Sequence, residues 1–140
     1  MAAHDPFIRA AKRLELHERS AVPPENVEKY SARLWRLSEQ LERCTPTTKH
    51  GICRLLEMAA SLADEYHSVL GDDVRRTAER IWREGPSDAT LDEMRGRYQL
   101  VAGLATVATD WDGERCVADL YKARSALEAI VAGQSGNRPS

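Results

Sequence analysis

Apolar residues recur at spacings of three and four along most of the chain, and no alternating strand pattern matches that period, so six helical segments are predicted. Asp5 is placed to cap the first, with Pro6 at its first helical position, and Phe7, Ile8, Ala11 and Leu14 carry it to about Ser20. Pro23 and Pro24 end that region. The second segment has Glu25 in its first turn and the clearest period of all: Val27, Tyr30, Leu34, Leu37, Leu41 and Cys44 form one narrow stripe that faces a partner helix. Pro46, with Thr45 or Thr47, restarts the helix. From Ile52 through Leu55, Leu56, Ala59, Leu62, Ala63, Tyr66 and Val69 to Leu70 a wide apolar face predicts a long central helix. Gly71 then supplies a left-handed C-terminal position and Asp72 the cap of a short fourth helix, whose buried side is Val74, Ala78, Ile81 and Trp82.

Gly85-Pro86 stops the fourth helix, and Ser87 or Asp88 caps the fifth, where Leu91, Met94, Tyr98, Val101 and Ala105 share a face that Leu100, Leu104 and Val107 widen. Apolar residues on most sides after Gly96 predict deep burial there. A turn at Asp110-Trp111-Asp112-Gly113 precedes a last helix with Val117, Leu120, Leu127, Ile130 and Val131. The expectation is an all-α, single-domain bundle of five or six helices over residues 1–132, with the third and fifth helices central and 133–140 a flexible C-terminal tail. Leu34, Leu37, Leu55, Leu62, Tyr98 and Leu104 are the predicted core.

The 140 residues suit one domain, and 42% apolar with 30% charged composition is too apolar for disorder. A formal charge of -2 and a pI near 6.1 argue against a generalised electrostatic grip on nucleic acid or anionic membrane. No apolar run reaches the length of a membrane span, and the N-terminus lacks a signal-peptide stretch, so a cytoplasmic setting is expected. Three cysteines at irregular spacing are expected to be reduced.

Several constellations carry possible chemistry. Cys44, His50 and Cys53 offer zinc-type ligands around one helix connection but lack a local fourth, and Cys44 and Cys53 also read as small core residues. Glu57, Asp64 and His67 form half of a carboxylate di-metal pattern whose other half is missing. Asp110, Asp112, Gly113 and Asp119 would fill positions 3, 5, 6 and 12 of a calcium loop, yet Ala108 stands at position 1. Arg76, Arg80 and Arg83 line one face of the fourth helix, where interleaved acids predict the intrahelical pairs Asp72–Arg76 and Glu79–Arg83. No nucleophile elbow, phosphate loop or dinucleotide fingerprint occurs. No cofactor, metal or catalytic residue is therefore predicted.

From Cys53 to Arg95 an apolar helix ends in Glu65-Tyr66-His67-Ser68-Val69-Leu70-Gly71-Asp72-Asp73, followed by an Arg75-x-x-Ala78-Glu79 helix with Trp82, the break Gly85-Pro86 and another helix. This third of the chain resembles all-helical immunity proteins of bacterial polymorphic toxin systems. The resemblance implies a non-catalytic, monomeric or weakly dimeric protein whose partner is a cognate toxin. A helical nucleic-acid-associated regulator is the second reading, and a small helical enzyme or metal-binding protein the third. Asp110, Trp111, Asp112 and Glu114 are the candidate partner-binding residues, because carboxylates steer a basic surface and Trp anchors a desolvated contact. Trp111 alternatively plugs the end of the bundle.

Overall fold

Three of the helices begin where the chain supplies a side-chain acceptor for amides that a first turn leaves unpaired. A computed structural model describes residues 4–20, 24–65, 68–105 and 111–136. Six α-helices pack as one bundle: α1 (Pro6–Glu18), α2 (Val27–Arg43), α3 (Lys49–Asp64), α4 (Ser68–Glu84), α5 (Asp88–Ala105) and α6 (Trp111–Gly136). A 3₁₀ turn, Pro24–Asn26, leads into α2, and no strand occurs among the described residues. Asp5 caps α1 through Phe7 N at 2.9 Å, Thr48 caps α3 through Gly51 N at 3.1 Å, and Ser87 caps α5. In the last case Ser87 and Thr90 exchange backbone-to-hydroxyl bonds of 2.9 and 3.2 Å, a capping box closed by Thr. Gly85, at φ +81°, ends α4 as expected.

One boundary moves. The predicted third helix divides, α3 stopping at Asp64 and α4 starting at Ser68, so Gly71 and Asp72 lie inside α4 rather than at a C-cap and an N-cap. Gly71 is buried where α4 crosses α3, and a Cβ there would stand 2.9 Å from the Ala60 carbonyl oxygen and collide with the Asp64 carboxylate. Its lack of a side chain serves a close helix approach, not a left-handed turn.

The bundle centre also differs from expectation. α3 packs on α4, α6 and α1, and α6 packs on α3 and α5, while α5 touches only α4 and α6. The alanines Ala59, Ala60 and Ala63 of α3 and Ala123 and Ala126 of α6 are buried, and such small residues let backbones approach while adding little to a hydrophobic period. Leu91, Met94 and Val101 bury one side of α5, whereas Leu100 and Leu104 are 47% and 53% exposed, so the deep burial predicted after Gly96 is not found. Of the predicted core, Leu37 and Leu55 are buried, Leu34, Leu62 and Tyr98 are half-buried, and Leu104 is outside. Val27, the first residue of the α2 stripe, is exposed as well.

Among the described helices, the backbone of α2 lies close to α1 alone, and side chains of α6 reach its C-terminal end. The His17 ring stacks on Tyr30 at 4.2 Å and closes that hairpin. Lys122 of α6 donates to the carbonyls of Leu41 and Glu42 at 3.3 and 2.7 Å, satisfying the open C-terminus of α2, and Arg115 pairs with Glu42. Burial pushes Asp119 above and Lys122 below their ordinary pKa values, so this joint sets orientation at some desolvation cost. α6 continues through Gly133 to Gly136, past the predicted start of the tail.

Candidate functional site

α3 and α4 run antiparallel, and each turns an i, i+3, i+4, i+7 series toward the same side: His50, Cys53, Arg54 and Glu57 on one, Arg75, Ala78, Glu79 and Trp82 on the other. These eight residues line a groove of about 480 Å3. At its mouth Trp82 is 50% exposed. Lys49 donates to the Trp82 carbonyl at 3.0 Å and holds its ammonium 4.6 Å from the centre of the indole, while His50 meets the ring edge-on at 5.9 Å. The indole is thus pre-oriented without being covered.

Charge in the groove is unevenly neutralised. Arg54 pairs with Glu15 of α1, and Arg75 pairs with Asp64, donating at 3.1 Å to one oxygen, and with Asp72 at 3.5 Å. Glu57 and Glu79 have no cation within ion-pair distance among the described residues. Two carboxylates beside a half-open indole suit a cationic side chain from a partner, through charge and through the ring face. Cys53 donates its thiol to the Ala78 carbonyl at 3.3 Å, and burial pushes its pKa up to about 11, so it is a protonated wall residue at neutral pH. Cys116 is held in the same way against the Ala59 carbonyl, also near 11.

The Asp64–Arg75 pair ties this groove to acid stability. The hydrogen bond from Arg75 holds the Asp64 carboxyl below its usual 3.8, so the stabilisation is present above that value and is lost as pH falls through the lowered one. Arg75→Gln is expected to lower the urea midpoint at neutral pH, and the gap to the parent should close as pH is taken below 3.8. A gap that stays constant over that range contradicts the linkage.

The residues singled out from sequence scatter. Cys44 lines a different groove from His50 and Cys53, and among the described residues no three His, Cys, Asp or Glu side chains gather as a metal site. Asp64 is taken by Arg75, while His67 lies outside the described residues. Residues 111–119 are helical, so the calcium-loop geometry does not form there. Of the predicted partner-binding cluster, Asp110 lies outside the described residues, and Trp111 and Asp112 are described as α6 backbone only. Glu114 is exposed in the first turn of α6, so from Trp111 onward the segment is the start of a helix and not a turn. The pairs expected on α4 shift register too: Asp72–Arg75, Asp73–Arg76 and Arg80–Glu84 form instead, since Arg75 and Arg80 also reach Asp64 and Glu93 on neighbouring helices.

Two tryptophans escaped the sequence reading. Trp82, assigned to the buried side of its helix, lies about 100° around α4 from Ile81, beside Arg75 and Glu79. Trp35 of α2 is 69% exposed and donates its indole N–H to Glu39 at 2.8 Å. Placing each on a helical wheel beside its charged neighbours gives the signal.

No helix of the described residues is long and apolar enough to cross a membrane. Comparisons with family models, with curated proteins and with solved structures give no match.

Proposed function

We propose that this bundle is a non-catalytic protein-interaction domain, of the immunity type, which neutralises a cognate bacterial toxin by docking it on the α3–α4 groove. The observation that carries the reading is Trp82, half exposed and held by Lys49 and His50 beside the unpaired carboxylates of Glu57 and Glu79. A preset aromatic next to unsatisfied charge is the usual make-up of an energetic anchor, and loss of one such anchor costs about 2 kcal/mol or more of binding. All the groove residues except His50 fall within the segment that resembles immunity proteins. Glu57 and Glu79 would receive a basic side chain of the toxin and Trp82 its apolar stem.

The test is co-expression with the products of the genes that flank this chain's gene, any toxin domain among them included, scored by growth and by co-purification. Protection by the parent, lost in Trp82→Ala at an unchanged melting temperature, is the expected result. No complex with any of those products, or full protection by Trp82→Ala, overturns the proposal.

A further inference from the structure

A second groove, of about 350 Å3, lies between the start of α1 and the end of α2, and its charge is of one sign. Arg9, Arg13 and Arg43 line it with His4 and Gln40, and no carboxylate is among its lining residues. Arg9 donates to the His4 ring at 2.6 Å, and neither Arg13 nor Arg43 has an acidic partner among the described residues. Four of the hairpin's acids are engaged elsewhere, while Glu18, Glu25 and Glu28 form no ion pair among the described residues. Asp5 accepts from Thr47 and Thr48, Glu15 pairs with Arg54, Glu42 with Arg115, and Glu39 holds Trp35. Among the described arginines outside this hairpin, all except Arg83 are ion-paired.

The positive face continues beyond the groove. Lys29, Arg33, Arg36, Gln40 and Arg43 follow one another at spacings of four, three, four and three, which is one side of α2 over about 21 Å. Lys29, Arg33 and Arg36 likewise lack acidic partners among the described residues. Arginines converging without counter-charge repel one another, and a bound polyanion removes that cost. Beside the stripe stands the exposed Trp35 ring, about 100° around the helix from Arg36, a surface on which a base can stack.

We infer that the α1–α2 face binds single-stranded nucleic acid, with Arg9, Arg13 and Arg43 each meeting a phosphate at the groove, the α2 stripe following the backbone and Trp35 stacking a base. The net charge of -2 is no obstacle, because Glu15 and Glu42 are consumed in ion pairs and Glu18 and Glu28 lie about 100° or more around their helices from Arg9 and Lys29. A lone strand fits better than a duplex: the basic residues form one narrow row, and an aromatic side chain rewards an unpaired base.

The experiment is fluorescence anisotropy of the full chain with labelled oligo-dT and oligo-rU of about 12 nucleotides, a duplex of equal length and polyglutamate as competitor. Six phosphate contacts, counting Lys29, Arg33 and Arg36 with the three groove arginines, give a slope of log K against log salt of about -4.2 on a single strand. The triple variant Arg9→Gln, Arg13→Gln, Arg43→Gln should bind at least about tenfold more weakly at low salt and lose about 2 from that slope. Arg76→Gln on α4 serves as the control and should bind like the parent. Absence of strand binding at low salt, equal binding of duplex, equally effective competition by polyglutamate, or an unaltered triple variant with parental circular dichroism each overturns the inference. If the triple variant does not fold, Arg33→Gln with Arg36→Gln, on the outer side of α2, must show the same weakening and flattening, and parental binding by that pair overturns it.

Discussion

Asp5→Ala is expected to lower stability by about 3 kcal/mol, which for a chain of this size is a fall in melting temperature of roughly 10 °C. The residue is 7% exposed, and both of its oxygens are engaged. Oδ1 accepts from Phe7 N at 2.9 Å and Ile8 N at 3.3 Å, which caps α1; Oδ2 accepts from Thr47 N, Thr48 N and the Thr48 hydroxyl at 3.2, 3.1 and 2.6 Å, which shapes the entry to α3. A simple N-cap contributes about 1 kcal/mol, but this carboxylate joins two helices forty residues apart in sequence and leaves several shielded amides unpaired when removed. The α1–α2 hairpin has few other ties to the rest of the bundle, since only α1 packs on α3 and α2 hangs on Lys122 and Arg115. Asp5→Asn should lose most of the same stability, because an amide nitrogen turned toward Thr47 and Thr48 donates where an acceptor is needed. Asp5→Ser should restore the α1 cap alone. Thermal melts of the three variants check the order, and an Asp5→Ala protein that melts with the parent contradicts the double role.

Gly71→Ala is expected to destabilise by about 1 to 3 kcal/mol, the reverse of what helix propensity predicts for a mid-helix glycine. The added methyl would meet the Asp64 carboxylate, which can swing away only by giving up Arg75, and the Ala60 carbonyl oxygen at 2.9 Å, which is backbone and cannot move without shifting α3. Gly96 of α5 is the matched control. It is exposed with open space where its Cβ would be, so Gly96→Ala should stabilise by about 0.5 to 1 kcal/mol. Combining Asp64→Ala with Gly71→Ala should relieve only part of the damage, since the carbonyl contact stays. Urea unfolding of the set decides it: equal and favourable shifts for both glycines would mean that α3 and α4 do not approach closely at Gly71.

Features with a local cause are legible in the sequence. Asp5-Pro6, Ser87 with Thr90 and Gly85-Pro86 act within a turn of the chain, and their caps and stops are legible from residue type alone. The α2 stripe was legible in its second half, Leu37 to Cys44, and missed at Val27, where no neighbour covers the helix. The break between α3 and α4 left no mark, for Glu65 bears no glycine or proline signal, while Gly71 carried a signal that belonged to something else. The candidate grooves were less legible still. His50, Cys53 and Glu57 were noticed as metal ligands and Trp82 as core, yet their common use depends on two helices lying side by side.

What the order of residues determined by itself was the all-helical character, the number of helices and the caps that start two of them, α1 and α5, whereas α3 is capped by Thr48 and not by Thr45 or Thr47. Hydrogen bonds within a turn and a 3.6-residue period are properties of contiguous chain. Which helices are central, which glycine is a spacer, which arginines find carboxylates and which are left facing one another was decided only by tertiary packing. Those outcomes depend on distances between residues far apart in sequence, such as Asp5 to Thr48 and Glu42 to Arg115, and no local period records them.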